Sequence, residues 1–395
     1  PDDILPGVAT YYGYTCVKGD NVCPVVIKTR EGRPIKIEGN VMSAMTGGGT
    51  SARVQASILE LYDTARVRKA AAPNKKGKVK DTSWDKLDEK IKGELKPDAS
   101  IRIVTSTIVS PSINAAIEDF KVAYPNTQVV TYDAVSASGL LDANEENFGQ
   151  RVVPSYDFSA AKVVATFGAD FLGTWISPIE YAAGFAKARK ANKDMMRLYA
   201  LESGMSLTGS NADHRIFVKP SEQGQAVLAL YNEIAKAKGE SSVSAQKLSY
   251  AKSNPAIKEM AKDLLAANGS IVISNSNDKN VQVVVNKIND LLGNYGKTIS
   301  FANHSNQRQG DDKAVSQMIA DMKAGKVDAI IINDANPVYD APNASEFAAG
   351  LKKVKTVISC DSWFTETSEY ANYLAPQTHF LESWGDAEAK KGHFS

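Results

Sequence analysis

The chain has 395 residues, is 43% hydrophobic and 23% charged, and carries a formal net charge of +1. That length provides for two or three domains with a sizeable core, and the near-neutral balance excludes a broad basic surface for nucleic acid or a strongly acidic tail. No window approaches the roughly 18 unbroken apolar residues of a membrane span, and the 3 cysteines fit neither a disulfide-dense scaffold nor a multi-cluster protein.

The opening fifty residues read as β-rich. "VVIKTREGRPIKIEGN" alternates apolar and polar residues on both sides of "EGRP", the pattern of a hairpin. Cys16 and Cys23 stand just ahead of it, the layout of proteins that hold an iron–sulfur cluster before a β-hairpin, although a four-iron cluster normally takes four thiolates. A glycine-rich run, "MTGGGTSARVQ", precedes a helical stretch, "QASILELYDTARV". "RKAAAPNKKGKVK" is basic but lacks interleaved aromatics and reads as a solvated loop. Residues 1–98 are thus expected to form a β-rich cap with a helical connector. The chain opens on Pro1 rather than Met, so any targeting segment is expected to be removed or to lie outside this sequence.

From residue 99 strands alternate with helices of ten to fifteen residues, which implies βαβ units and a parallel sheet. "SIRIVTST", "QVVTYDA", "AKVVATFGAD" and "MRLYALES" read as strands of a first lobe over 99–240. After a break near "GESSVSAQKLSYAKSNP", "SIVISNS", "KTISFAN", "VDAIIINDANP" and "KTVISCDSW" repeat the rhythm in a second lobe over 241–395. The expected fold class is α/β, a small cap followed by two doubly wound parallel-sheet lobes.

No GxGxxG opens a helix and no GxxxxGK[ST] loop is present, so simple nicotinamide and ATP sites lack support. What recurs is a strand ending in a small polar turn, "FGADFLGTW" around Gly168 and Asp170 and "INDANPVYDAP" around Asn333 and Asn336. Ligands of open α/β sheets bind at such strand ends. The four histidines (His214, His304, His379, His393) form no HExxH, no CxxC occurs, and no GxSxG marks a nucleophile turn. Cys360 ends an apolar strand and reads as a core residue.

Several segments together resemble the molybdopterin oxidoreductases, in that family's usual order: "CPVVIKTREGRPIKIEGN", "QASILELYDTARV", "AKVVATFGADFLGTW", "SLTGSNADHRIFVKPSEQG", "AIIINDANPVYDAP" and "DSWFTETSEYANYLAPQTHFLESWGDAE". "YDAVSASGLLDANEENFG" with "ADFLGTW" is most similar to the molybdopterin-oxidoreductase-like part of the large iron–sulfur (B) subunit of alternative complex III, a bacterial respiratory quinol oxidoreductase. The resemblance covers essentially the whole chain and implies two lobes of this kind, with the family's β-rich fourth domain absent from this sequence.

Against the family's C-x2-C-x3-C pattern, Cys16 and Cys23 match the first and third positions, Gly19 stands at the second, and the fourth falls near Gly47–Gly49. The resemblance therefore makes Cys16 and Cys23 relics of a cluster site, with no metal expected, and an exported location implies that they could pair as a disulfide. It also makes Gly168, Asp170, Asn333, Asn336, Asp361 and Glu366 relic positions of a pterin cleft. The family's nucleotide-contacting "DPR" turn reads "LESGM" here, and its "PGTD" turn reads "PSEQ", replacing Asp with Gln223. No catalytic residue and no cofactor are expected in this chain, with iron–sulfur clusters and hemes c expected elsewhere in a complex.

The implied partners are a multiheme cytochrome c and integral membrane quinol-binding subunits, on the periplasmic side of a bacterial inner membrane. There the chain would help electrons pass from quinol to a periplasmic carrier or oxidase. The rival implication is a catalytic molybdenum bis-pterin oxidoreductase acting on a small oxide, in which Ser136 or Ser138 would supply an oxygen ligand. Asp361, Thr365, Glu366, His379 and Glu382 are expected to form an internal hydrogen-bond network bracing the second lobe.

Overall fold

The computed structural model describes residues 5–18, 21–73, 79–191 and 194–395. Gly19, expected at the second cluster position, and the centre of the basic loop, 74–78, lie outside them. Among the described residues the strands form four sheets.

The cap is a three-stranded antiparallel sheet of Thr10–Lys18, Asn21–Arg30 and Arg33–Gly39. Its second hairpin turns at Glu31 and Gly32, both left-handed (φ 46° and 74°), so the "EGRP" turn has the backbone hand that matches strand twist. One face carries Cys16, Cys23, Val25, Ile27 and Ile37, packed against Val54 and Ile58 of the short helices that follow.

A four-stranded parallel sheet runs in the order His214–Phe217, Arg197–Glu202, Val163–Phe167, Ser270–Ser274. Two of its strands, Val163–Phe167 and Ser270–Ser274, are buried along their whole length. Helices Gln223–Lys238, Ser253–Ala266 and Lys279–Leu291 bury their apolar residues in the same core cluster. Burial on both faces is what a parallel sheet requires and explains runs without polar alternation.

The largest sheet has seven strands, with Thr356–Ser359, Ala329–Asn333, Ile101–Thr105 and Thr127–Thr131 forming a parallel run that ends at one edge. Tyr373–Leu374, Ala71–Pro73 and Val79–Asp81 extend one edge. Helices Asp312–Lys323 and Ala344–Leu351 cover it through Val315, Met318, Phe347 and Leu351.

The sheets cut across the expected boundaries, with Ala71 paired to Leu374 across 98 and two parallel ladders running across 240. Ile101–Thr105 pairs with Ala329–Asn333, and Ser270–Ser274 pairs with Val163–Phe167, so each lobe is assembled from both halves of the chain. The rhythm of strands and helices identifies βαβ units, but equally apolar strands carry no label of their neighbours. "KTISFAN" also departs from its expected place. Ile299–Ser305 pairs antiparallel with Val153–Tyr156 in a separate four-stranded sheet that Glu388–Lys390 and His393–Phe394 complete.

Candidate functional site

Cys16 and Cys23 are directly opposite each other across the first hairpin, both 0% exposed. The Cys23 thiol donates to the Gly49 carbonyl at 3.4 Å, and Cys16 Sγ lies 4.0 Å from Ser57 Oγ. The glycine turn that stands where a fourth cluster cysteine would fall is folded onto this face, with the Gly48 and Gly49 carbonyls so close to Gly39 that no side chain fits there. Backbone carbonyl thus lies against the Cys23 sulfur, and a hydroxyl against that of Cys16. Burial pushes the Cys23 thiol above its usual range. Among the described residues no group of three or more His, Cys, Asp or Glu is arranged to hold a metal ion.

At the carboxyl ends of the four-stranded parallel sheet, the expected cleft positions engage their own chain. Asp170 accepts from the Thr208 amide at 2.9 Å and its hydroxyl at 2.7 Å. Gln223 donates to the Phe167 carbonyl and to Asn275 Oδ1, and both side chains sit against Gly168. Glu202, in the "LESGM" turn, takes up the Ser206 hydroxyl at 2.6 Å and Arg215 at 2.7 Å.

The carboxyl ends of the large sheet frame a cavity of about 310 Å³. Asp133, Asp334, Asp340 and Asp361 line it, and Arg308 is the one Lys or Arg among its lining residues. Burial, reinforced by the neighbouring Asp334 carboxylate, raises Asp361 to about 6. Burial likewise raises Asp340, whose carboxylate accepts from the Tyr132 hydroxyl at 2.6 Å.

Asp133 is the residue that sequence reasoning missed. Its carboxylate accepts from the Thr107 amide (2.9 Å) and hydroxyl (2.7 Å), the Gly310 amide (3.0 Å) and the Gln309 amide (3.3 Å). Convergent amides just past a strand end are the donors that elsewhere cradle phosphates. Asp386 does the same at the start of helix Pro111–Ala123, accepting from the Ser110 and Ser112 hydroxyls and the Ser112 amide. The available signal was an acidic residue directly after the apolar strand "QVVTY".

The two large sheets approach through the segment that follows Asp133. Gly139 donates to Asn277 Oδ1 at 2.8 Å and stands so near the Asn277 carbonyl that only glycine fits. Ser136 donates to Asp312 at 2.9 Å, and the Ser138 hydroxyl accepts from Arg151 at 3.2 Å. Both serine hydroxyls are therefore committed to contacts inside the chain.

The C-terminal residues divide into two groups. Asp361 accepts from Ser359 (3.1 Å) and Thr365 (3.4 Å), while Asn336 donates to Glu366 (2.8 Å) and accepts from the Thr367 hydroxyl (2.6 Å). His379 and Glu382 reach instead to the connector: His379 Nε2 lies 3.2 Å from the Ser57 carbonyl, and Glu382 receives both terminal nitrogens of Arg66. The network expected to brace the second lobe therefore also ties the cap's helices to the far end of the chain. Asn333, Asn336, Asp361 and Glu366 share the large sheet's strand ends, Gly168 and Asp170 belong to the other sheet, and Cys16 and Cys23 are in the cap.

The sequence profile of the molybdopterin oxidoreductase family matches residues 66–395. A curated relative, the menaquinone reductase molybdopterin-binding-like subunit of Nitratidesulfovibrio vulgaris (strain Hildenborough), is 24% identical over 411 aligned positions, covering 92% of this chain and 58% of the relative. The chain thus spans little more than half of that protein's length. Among solved structures, acetylene hydratase from Pelobacter acetylenicus superposes with a TM-score of 0.72 at 13% identity, over 95% of this chain and 64% of that one. The likeness shows the fold: mixed α/β with parallel sheets, as expected.

Proposed function

The chain belongs to the molybdopterin oxidoreductase family, and from that premise we propose that it is a non-catalytic, cofactor-less scaffold within a membrane-bound quinol oxidoreductase of the alternative complex III kind. It faces the periplasm and holds cluster-bearing, multiheme cytochrome c and quinol-binding subunits within electron-transfer range through protein–protein contacts. The likeness to a menaquinone reductase subunit supports the quinone-linked setting.

The observation that carries the cofactor-less reading is the Asp133 carboxylate. It takes four donors at the carboxyl end of the large sheet, donors of the kind that bind a dinucleotide's phosphates. A pterin guanine dinucleotide brings a diphosphate. Here it would meet carboxylates at Asp133, Asp334, Asp340 and Asp361 with Arg308 the one Lys or Arg beside them, a balance of charge that repels a diphosphate. On the other sheet, Gln223 and Asn275 occupy the approach to Gly168. The residues present do not fit the paired pterins.

The test is molybdenum, tungsten and phosphorus analysis of the intact purified complex, with oxidative release of pterin fluorescence. The expected result is neither metal nor pterin at levels comparable to the chain. Stoichiometric metal together with a released pterin overturns the scaffold reading.

A further inference from the structure

We infer that Cys16 and Cys23 are the two ends of a cross-strand disulfide that locks the first hairpin of the cap. The inference rests on strand register and holds whether or not the chain binds a pterin.

Cys16 and Cys23 are register partners in an antiparallel pair, so their side chains leave the sheet on the same face. Directly opposed residues have Cα atoms about 4.5–5.5 Å apart, inside the roughly 4.4–6.8 Å that a disulfide spans. Both side chains are in the same core cluster, with Val25 and Ile37. Thr10–Lys18 is an edge strand, paired only with its neighbour Asn21–Arg30 in this sheet. Closing the bond fixes the end of the cap that no third strand holds.

The chemistry requires an oxidant of the disulfide class, such as oxidised glutathione. The thiolate of one cysteine attacks a glutathione sulfur, forming a mixed disulfide and expelling one glutathione thiolate. The second cysteine then attacks the protein-side sulfur and expels the other. Two protein thiols lose two protons and two electrons, and one glutathione disulfide becomes two thiols. Because burial raises the Cys23 thiol, exchange in the folded cap is slow, and the bond forms as the hairpin folds, before the sulfurs are covered.

The test refolds the whole chain in oxidised glutathione or in reductant. Each sample is then acid-quenched, alkylated in denaturant, and analysed by intact and peptide mass spectrometry. The expected oxidised product is lighter by two hydrogens, carries one alkyl group, at Cys360, and yields a linked peptide pair containing Cys16 and Cys23, while the reduced product carries three alkyl groups. Three alkyl groups in both samples, a persistent glutathione adduct, or a link through Cys360 overturns the inference. Cys16→Ser and Cys23→Ser should each abolish the linked pair, and the wild-type mass result stands if either variant fails to fold.

Discussion

Arg66 grips Glu382 with two hydrogen bonds, Nη1 to Oε1 at 3.2 Å and Nη2 to Oε2 at 2.6 Å, across 316 residues of sequence. The Arg66 side chain is 5% exposed and that of Glu382 39%, so the pair closes the chain on itself at the edge of the core. Arg66 also donates to the Leu61 carbonyl at 3.2 Å, holding the connector that follows the cap.

Truncating Glu382 leaves a buried guanidinium without its carboxylate. Losing one partner of a fully buried pair costs about 3–5 kcal/mol. Solvent reaches Glu382, so Glu382→Ala is expected to cost about 1–3 kcal/mol in denaturant unfolding. The Arg66 hydrogen bonds hold the Glu382 carboxyl below the usual range. A lowered folded pKa contributes stability above the unfolded carboxyl value and loses it as pH falls through the folded one. The variant should therefore differ from wild type at pH 7 and converge with it in strong acid. Equal destabilisation at both pH values refutes the ion-pair account.

Arg66 and Glu382 also mark where sequence reading stops. Strands such as "AKVVATF" and the "EGRP" turn were legible because apolar runs, alternation and a turn's backbone hand are local properties. The pairing of Ile101–Thr105 with Ala329–Asn333 was not, since any buried parallel strand offers the same ladder. The site divides in the same way. Asn336 and Glu366 read as cleft positions in two separate turns, and the fold brings them together in a hydrogen bond. The role of Asp133 was not foreseen, because it depends on Thr107 and Gly310 arriving from other strand ends.

Asp361 should behave in the opposite sense to Glu382. Burial and the Asp334 carboxylate raise it to about 6, so the folded state holds a proton that the unfolded chain releases near pH 4. Stability then falls as pH rises from about 4 to 6 and stays lower above it. Asp361→Asn keeps an acceptor for Ser359 and Thr365 and removes the charge. It is expected to stabilise the protein by about 1–2 kcal/mol at pH 7.5 and by little at pH 4. Thermal melts across that range check it, and a variant less stable than wild type at pH 7.5 counts against a charge held at a cost.

Asn336 should matter more than Glu366, although the sequence singled out both. Asn336 Oδ1 takes the Thr367 amide and hydroxyl, and the Thr367 hydroxyl in turn takes the Val338 amide, so one side chain joins two turns. Asn336→Ala is expected to cost about 1–3 kcal/mol. Glu366→Ala removes an exposed group from the end of that network and should leave the melting curve, and the turnover of the proposed complex once assembled, where they were. Loss of quinol oxidation by Glu366→Ala in a complex that assembles normally would make this segment chemically active.

The Asp133 carboxylate offers the sharpest test of the proposed cofactor-less reading. Its two oxygens accept four donors at the carboxyl end of the large sheet, and an oxyanion such as sulfate has the charge and acceptors to replace them. Asp133→Ala strands those donors in a half-buried turn, a loss of about 2–3 kcal/mol after water satisfies some of them. Sulfate should recover more stability in Asp133→Ala than in wild type when both are compared with chloride at matched ionic strength. The comparison is necessary because sulfate strengthens burial in any protein, whereas binding to a vacated cradle saturates with concentration. A saturable gain confined to the variant identifies Asp133 as an internal stand-in for a bound anion. Parallel, non-saturating gains in both proteins would mean that the donors form an ordinary turn, and would remove the main structural support for a chain that has closed its own phosphate site.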